Sequence, residues 1–163
     1  MSNVVNIRRD PSSLIAGRVL ESVSAAGREA WSELRVRASE GYDYFHACEG
    51  AQPDMFKFFA VGAFVDEWLV AGAPAFEASF RADLSLTGVV RQMTDYLHRR
   101  WPGLALRVLG LGSPHADDIG LAFHTALQPS ARERAFHALL ESLQQAGANR
   151  GISVLFVKDV TEL

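Results

Sequence analysis

Apolar residues along this chain recur in two rhythms, one of period two and one near 3.6, and their succession predicts the elements. Val4 to Ile7 fits a short strand or an extension lying on the surface. Gly17 to Val23 reads as the first strand, with Val19 set between Arg18 and Leu20. Ser24 then occupies a helix N-cap position ahead of Ala30, Trp31 and Leu34, which recur at helical spacing. Tyr42 to Glu49 predicts a second short helix with Tyr44, Phe45 and Cys48 on one side.

The middle of the chain carries the clearest strand pattern. Phe56 to Val65 is rich in Phe and Val, and Trp68 to Phe76 resumes after Asp66 and Glu67, which predicts a hairpin. Pro74 has no ladder donor, so it marks an edge or a bend near the end of the second strand. Phe80 to Leu86 extends toward a third strand. Thr87 would cap a helix striped by Val89, Val90, Met93, Tyr96 and Leu97 and stopped by Pro102 and Gly103. Strands follow at Leu104 to Leu109 and Ile119 to Phe123.

Ser130 and Glu133 have the spacing of a capping box at the head of the next helix. Its apolar face is Phe136, Leu139, Leu140 and Leu143, and Gly147 is the expected stop. Ile152 to Val157 is a continuous apolar run, the signature of a strand buried on both faces in mid-sheet. The sum is an α/β or α+β domain, a mixed central sheet flanked by helices. Residues 1–16 form an N-terminal extension or short strand, and 17–163 the domain.

Composition narrows the function classes. The 163 residues suit one domain, and 48% hydrophobic against 21% charged residues is the balance of a soluble globular chain. A net charge of −3 supplies no basic surplus for nucleic acid. Cys48 is the lone cysteine, so no intrachain disulfide forms, as suits a reducing compartment. No apolar stretch reaches the ~20 residues of a membrane span. A cytoplasmic location is the expectation.

The element order resembles the GNAT superfamily, and more narrowly the N-terminal half of the Fem-like N-acyltransferases, which are built from two GNAT-like domains. The resemblance rests on Trp31-Ser-Glu-Leu34, on Val61-Gly-Ala-Phe-Val-Asp-Glu-Trp-Leu-Val-Ala-Gly72, on Arg107-Val-Leu-Gly-Leu-Gly-Ser-Pro114 and on Leu155-Phe-Val-Lys-Asp159. It implies an acyl or aminoacyl transfer to a small amine, with acyl-CoA or an aminoacyl donor serving the parent enzyme. It also implies a fold that continues past the last strand. This chain is then incomplete at its C-terminal end and expected to join a second GNAT-like domain of the same polypeptide or to pair with itself.

An active GNAT domain holds the donor pyrophosphate on an Arg/Gln-x-x-Gly-x-Gly/Ala loop, where glycines let backbone N–H groups reach phosphate at a helix start. Arg107, Gly110 and Gly112 match the string, but the residues after them have no helical period. The segment in the right context puts Arg132 at the first position, with Ala135 and His137 where glycines belong. The reading is a degenerate loop that binds no cofactor in this segment, and catalytic residues stay unassigned. Lys158 and Asp159, at the end of the last strand, are candidates for substrate contact.

Other chemistry is weaker. His115, Asp117 and Asp118 share a loop but fit no common metal-ligand spacing, so no metal is expected. His46, His98, His124 and His137 show no triad arrangement in sequence. Cys48 and the Phe56, Phe58, Phe59, Phe64 run read as core, and Arg91, Arg99 and Arg100 as the basic end of a helix.

Overall fold

The Phe- and Val-rich hairpin is the spine of the sheet in the computed structural model, which describes residues 14–35, 41–51, 56–81, 105–115 and 120–157. Strand β1 is Ile15–Leu20, followed by a 3₁₀ turn at Val23–Ala26, helix α1 at Arg28–Ser32 and the short β2 at Leu34–Arg35. Helix α2 is Tyr42–Ala51, and β3 (Phe56–Val65) and β4 (Trp68–Arg81) form the hairpin. Strands β5 (Ala105–Leu111) and β6 (Ala122–His124), helix α3 (Pro129–Arg150) and β7 (Val154–Val157) complete the order. The strands run β1-β3-β4-β5-β7, with β6 pairing both β4 and β2. The fold is a mixed α+β sheet flanked by helices, as the pattern predicts.

Among the described strands all pairings are antiparallel except β5 with β7. Parallel neighbours need a long return, and α3 supplies it. Asp66 takes a positive φ of 55° in the two-residue hairpin turn, a conformation aspartate tolerates. Arg18 on β1 clasps that turn, with Nη1 2.9 Å from Glu67 and its guanidinium over the Phe64 ring. A bulge leaves Val70 unpaired between Leu69 and Ala71, so that Val70 and Ala71 both enter the same core.

The described helices cover both faces of the sheet. Helix α3 lies on one face, over Phe59, Val61, Ala63, Ala73, Leu109 and Leu111. Its buried positions are Ala135, Ala138, Leu139, Ser142, Leu143, Ala146 and Gly147. Leu139 and Leu143 are fully enclosed, each contributing roughly 2 kcal/mol by leaving water. The small residues between them let the helix backbone approach the strands closely. On the opposite face the 3₁₀ turn, α1, β2 and α2 gather Val23, Trp31, Leu34 and Phe45 over Ala60, Phe64 and Leu69.

Several local expectations are corrected. The first strand ends at Leu20, and Val23 is buried in the 3₁₀ turn capped by Ser22, whose Oγ accepts from the Ala25 N–H. Gly27, not Ser24, precedes α1, and Leu34 lies beyond that helix in β2. Ser130 and Glu133 form no capping box, because Pro129 already opens the helix behind Gln128. Gly147 lies within α3, where a Cβ would come 2.9 Å from the Ile152 carbonyl oxygen. Gly151, in the left-handed region at φ 66°, ends the helix instead.

Pro74 is neither at an edge nor at a strand end. It sits inside β4, opposite Ala60, and its carbonyl accepts from Gly112 N at 2.7 Å. In an antiparallel strand a residue's N–H and C=O point to the same neighbour, so the missing N–H faces the place where β4 changes partners. Pairing with β6 ends at Gly72, and pairing with β5 begins at Ala75. A ladder break at that point loses no bond.

The final apolar run is also corrected. Strand β7 stands last in the described strand order, and alternate residues are open, with Val154 40% and Phe156 36% exposed. Phe80 and Arg81 belong to β4 rather than to a separate third strand. The residues of that strand after Arg81, the Thr87 to Leu97 helix and Arg91, Arg99 and Arg100 fall outside the described residues, as do Asp117, Asp118, Lys158 and Asp159.

Candidate functional site

Arg107 and Gly110 lie within β5, not on a loop. Arg107 spans from Glu77 to the end of α3: Nη2 is 2.8 Å from Glu77 Oε1, and Nη1 donates to the Arg150 carbonyl at 3.1 Å. Arg150 approaches the other Glu77 oxygen at 3.5 Å and covers the Phe59 ring at 4.4 Å. The two cations thus sit at the negative end of the α3 dipole around a Glu77 side chain only 12% exposed.

Gly110 is a packing glycine. It pairs with Phe76 on one side and Phe156 on the other, and the two rings close over it with centroids 5.5 Å apart. Gly112 adopts φ 112° and spends its N–H on Pro74. The string therefore offers no free row of donors to a phosphate.

The second string is displaced into helix α3. Arg132 donates from Nε to the Leu127 carbonyl at 3.2 Å, which satisfies backbone ahead of the helix. Ala135 is fully buried under the helix, and His137 is exposed beside Phe136. Because residues 129–150 are helical, the N–H groups of 135 and 137 bond within the helix. These three residues form no loop, degenerate or otherwise.

The structure gathers a polar cluster that sequence order conceals. Glu49, on the last turns of α2, receives the Val23 N–H on Oε1 at 2.7 Å. Its side chain is 14% exposed, and burial raises the carboxyl above its ordinary range, opposed by the Val23 hydrogen bond and by His46. Ser24 Oγ lies 2.9 Å from His46 Nδ1 and accepts from Tyr42 at 3.2 Å, and the Tyr42 ring stacks on His46. The helical spacings Tyr42–His46 and His46–Glu49 are visible in sequence. The contact with Ser24 is tertiary and is not.

This cluster is not a serine triad. Glu49 Oε2 lies 3.9 Å from Nδ1, the same imidazole nitrogen that Ser24 engages. A relay needs nucleophile and acid on opposite nitrogens.

Beside the cluster a cleft of about 200 Å³ opens between the 3₁₀ turn, α2 and the start of β3, lined by Glu21, Ser22, Glu49, Phe56, Lys57 and Phe58. His115 closes the far side of the aromatic pair, its ring 5.7 Å from Phe56 and 5.9 Å from Phe58. Its carbonyl accepts from the Tyr44 hydroxyl at 2.8 Å, which ties this loop to α2. Among the described residues no group of side chains has the makings of a metal site, and no helix is long and apolar enough to cross a membrane. Cys48 is partly buried on α2.

No protein family, curated protein or solved structure matches the chain.

Proposed function

We propose that this chain is the acceptor-side domain of an N-acyltransferase of the GNAT type, shaping the amine site and packing on a second domain that holds the acyl donor. The observation that carries the reading is the order of the described strands: an antiparallel run β1-β3-β4-β5, then the parallel pair β5 and β7, joined through α3. That order suits the resemblance carried by the hairpin and by the Arg107 to Pro114 segment. The N–H groups of Gly110 and Gly112 are committed to strand and turn, which supports placing the donor elsewhere.

In such an enzyme the protein aligns the amine with the carbonyl and stabilises the developing oxyanion with fixed donors. This domain contributes the alignment. Strand β7, last in the described strand order and with Val154 and Phe156 exposed, is the surface assigned to the second domain or a second copy. The same exposed face favours a second reading, a non-enzymatic assembly domain on this scaffold.

Calorimetric titration with acetyl-CoA and light scattering of the same sample test the proposal together. The expected result is no saturable acetyl-CoA binding and association through the β7 side, weakened by Phe156→Glu. Micromolar acetyl-CoA binding that is lost on Gly112→Asp would overturn it in favour of a self-sufficient acetyltransferase. Association with neither donor nor amine binding favours the assembly role.

A further inference from the structure

The cleft at Glu49 has a composition that selects one kind of ligand. Among the described residues that line it, the acidic side chains are Glu21 and Glu49 and the aromatic ones Phe56 and Phe58. Lys57 also borders it, but strand alternation turns that side chain to the opposite face, toward its cross-strand partner Glu77. Arg28, on the neighbouring helix α1, is paired with Asp43 and lies over the Tyr42 ring, and His46 Nδ1 stands 3.9 Å from Glu49 Oε2, beyond hydrogen-bond reach. The cleft is therefore anionic and aromatic at once.

Glu49 is held in place by the Val23 N–H on Oε1, while Oε2 has no hydrogen-bond donor among the described residues. A half-buried carboxylate oxygen with a spare acceptor site gains most from a charged donor. Aromatic rings, here Phe56 and Phe58 in the same lining, attract the same charge over their faces. About 200 Å³ is smaller than the usual site for a whole drug-sized molecule, so it suits a head group.

We infer that this cleft binds the ammonium end of a small aliphatic amine, with Glu49 Oε2 as hydrogen-bond acceptor, Glu21 as a second anion and Phe56 and Phe58 as the walls. The inference rests on the acceptor-side reading for its biological sense, and it gives that acceptor a chemical class: a cationic alkylamine rather than a neutral or anionic compound. Binding itself requires no acyl donor.

The test is an NMR titration of the whole chain with n-hexylamine at pH 7, with n-hexanol as the neutral probe of the same length. The amine is expected to shift signals of Glu49, Phe56 and Phe58 saturably, at least tenfold more tightly than the alcohol. Glu49→Gln keeps an acceptor for Val23 while removing the charge, and is expected to lower amine affinity about tenfold without changing hexanol binding. Glu21→Gln, on an exposed residue, is the second variant and is expected to lower it about threefold. Equal affinity for amine and alcohol, or amine binding untouched by both variants, would overturn the inference. Acetyl-CoA binding to the chain would sink the acceptor-side reading yet leave this titration unchanged, so the two failures are separable.

Discussion

The rings of Phe76 and Phe156 meet edge to face at 5.5 Å although a whole strand, β5, runs between theirs. Strands two apart in a sheet are about 9.6 Å from one another, twice the neighbour spacing. The rings close that gap by leaning over Gly110, which has no side chain to hold them apart. A Cβ at Gly110 would fall 2.5 Å from Phe76 and 2.8 Å from Phe156. Gly110→Ala is accordingly expected to destabilise the fold by about 1–3 kcal/mol, the usual cost of overpacking. Phe156→Leu in the same chain should recover part of that loss. Urea unfolding of the two single variants and the double variant measures the coupling.

Gly17 makes a harder contact. The Ala138 carbonyl oxygen and Ser142 Oγ of α3 occupy the position a Cβ of residue 17 would take. Ser142 is itself tied back to the Ala138 carbonyl at 2.9 Å, so neither neighbour is free to turn aside. Gly17→Ala must lift the helix from β1, at an expected cost of about 3 kcal/mol. In a chain of this size that lowers the melting temperature by roughly 6–12 °C, and calorimetry reads it directly.

Glu77 holds two arginines from different elements, Arg107 of β5 and Arg150 at the end of α3. Its mostly enclosed carboxylate loses more than an exposed one when the partners go. Arg107→Ala removes the 2.8 Å pair and the donor to the Arg150 carbonyl together. The expected loss is about 1–2 kcal/mol, since Arg107 itself is well solvated. Raising salt should narrow the difference between wild type and variant, as screening weakens the pair in the wild type. Acetyl-CoA titration should be the same for both proteins, because this arginine serves structure.

The raised carboxyl of Glu49 gives a pH signature with a definite sign. Its stabilising contribution is complete below the unfolded value, near 4.5, and is lost as pH climbs through the higher folded value. Wild type measured against Glu49→Gln should therefore look relatively most stable at acid pH and decline toward neutrality. The difference, taken by urea titration at several pH values, removes the contributions of Glu21, His46 and the remaining groups common to both chains. A difference that grows with pH would contradict burial as the dominant cause.

The hairpin was legible in sequence because Phe56 to Val65 and the run from Trp68 carry dense β-branched and aromatic residues around a two-residue turn. Helix α3 was legible for the same kind of reason, a strong apolar stripe at period 3.6. The glycines were legible only in part. Gly110 and Gly112 look like a phosphate loop because the string records only where side chains are missing, not what fills the space. Gly147 looks like a stop because helix-ending glycine is common, although here it admits the Ile152 carbonyl.

Local chemistry along the chain determined the element types, the mixed α+β class and the absence of a basic surplus. Rhythm and net charge are properties a linear sequence carries whole. The tertiary structure alone decided that Arg107 meets Glu77, Pro74 meets Gly112 and Gly110 meets Phe76, each across at least 30 positions of the chain. It alone brought Ser24 to His46, and set Glu49 beside Phe56 and Phe58 in one cleft. Register and helix placement fix those meetings, and both come from how the two faces of the sheet pack.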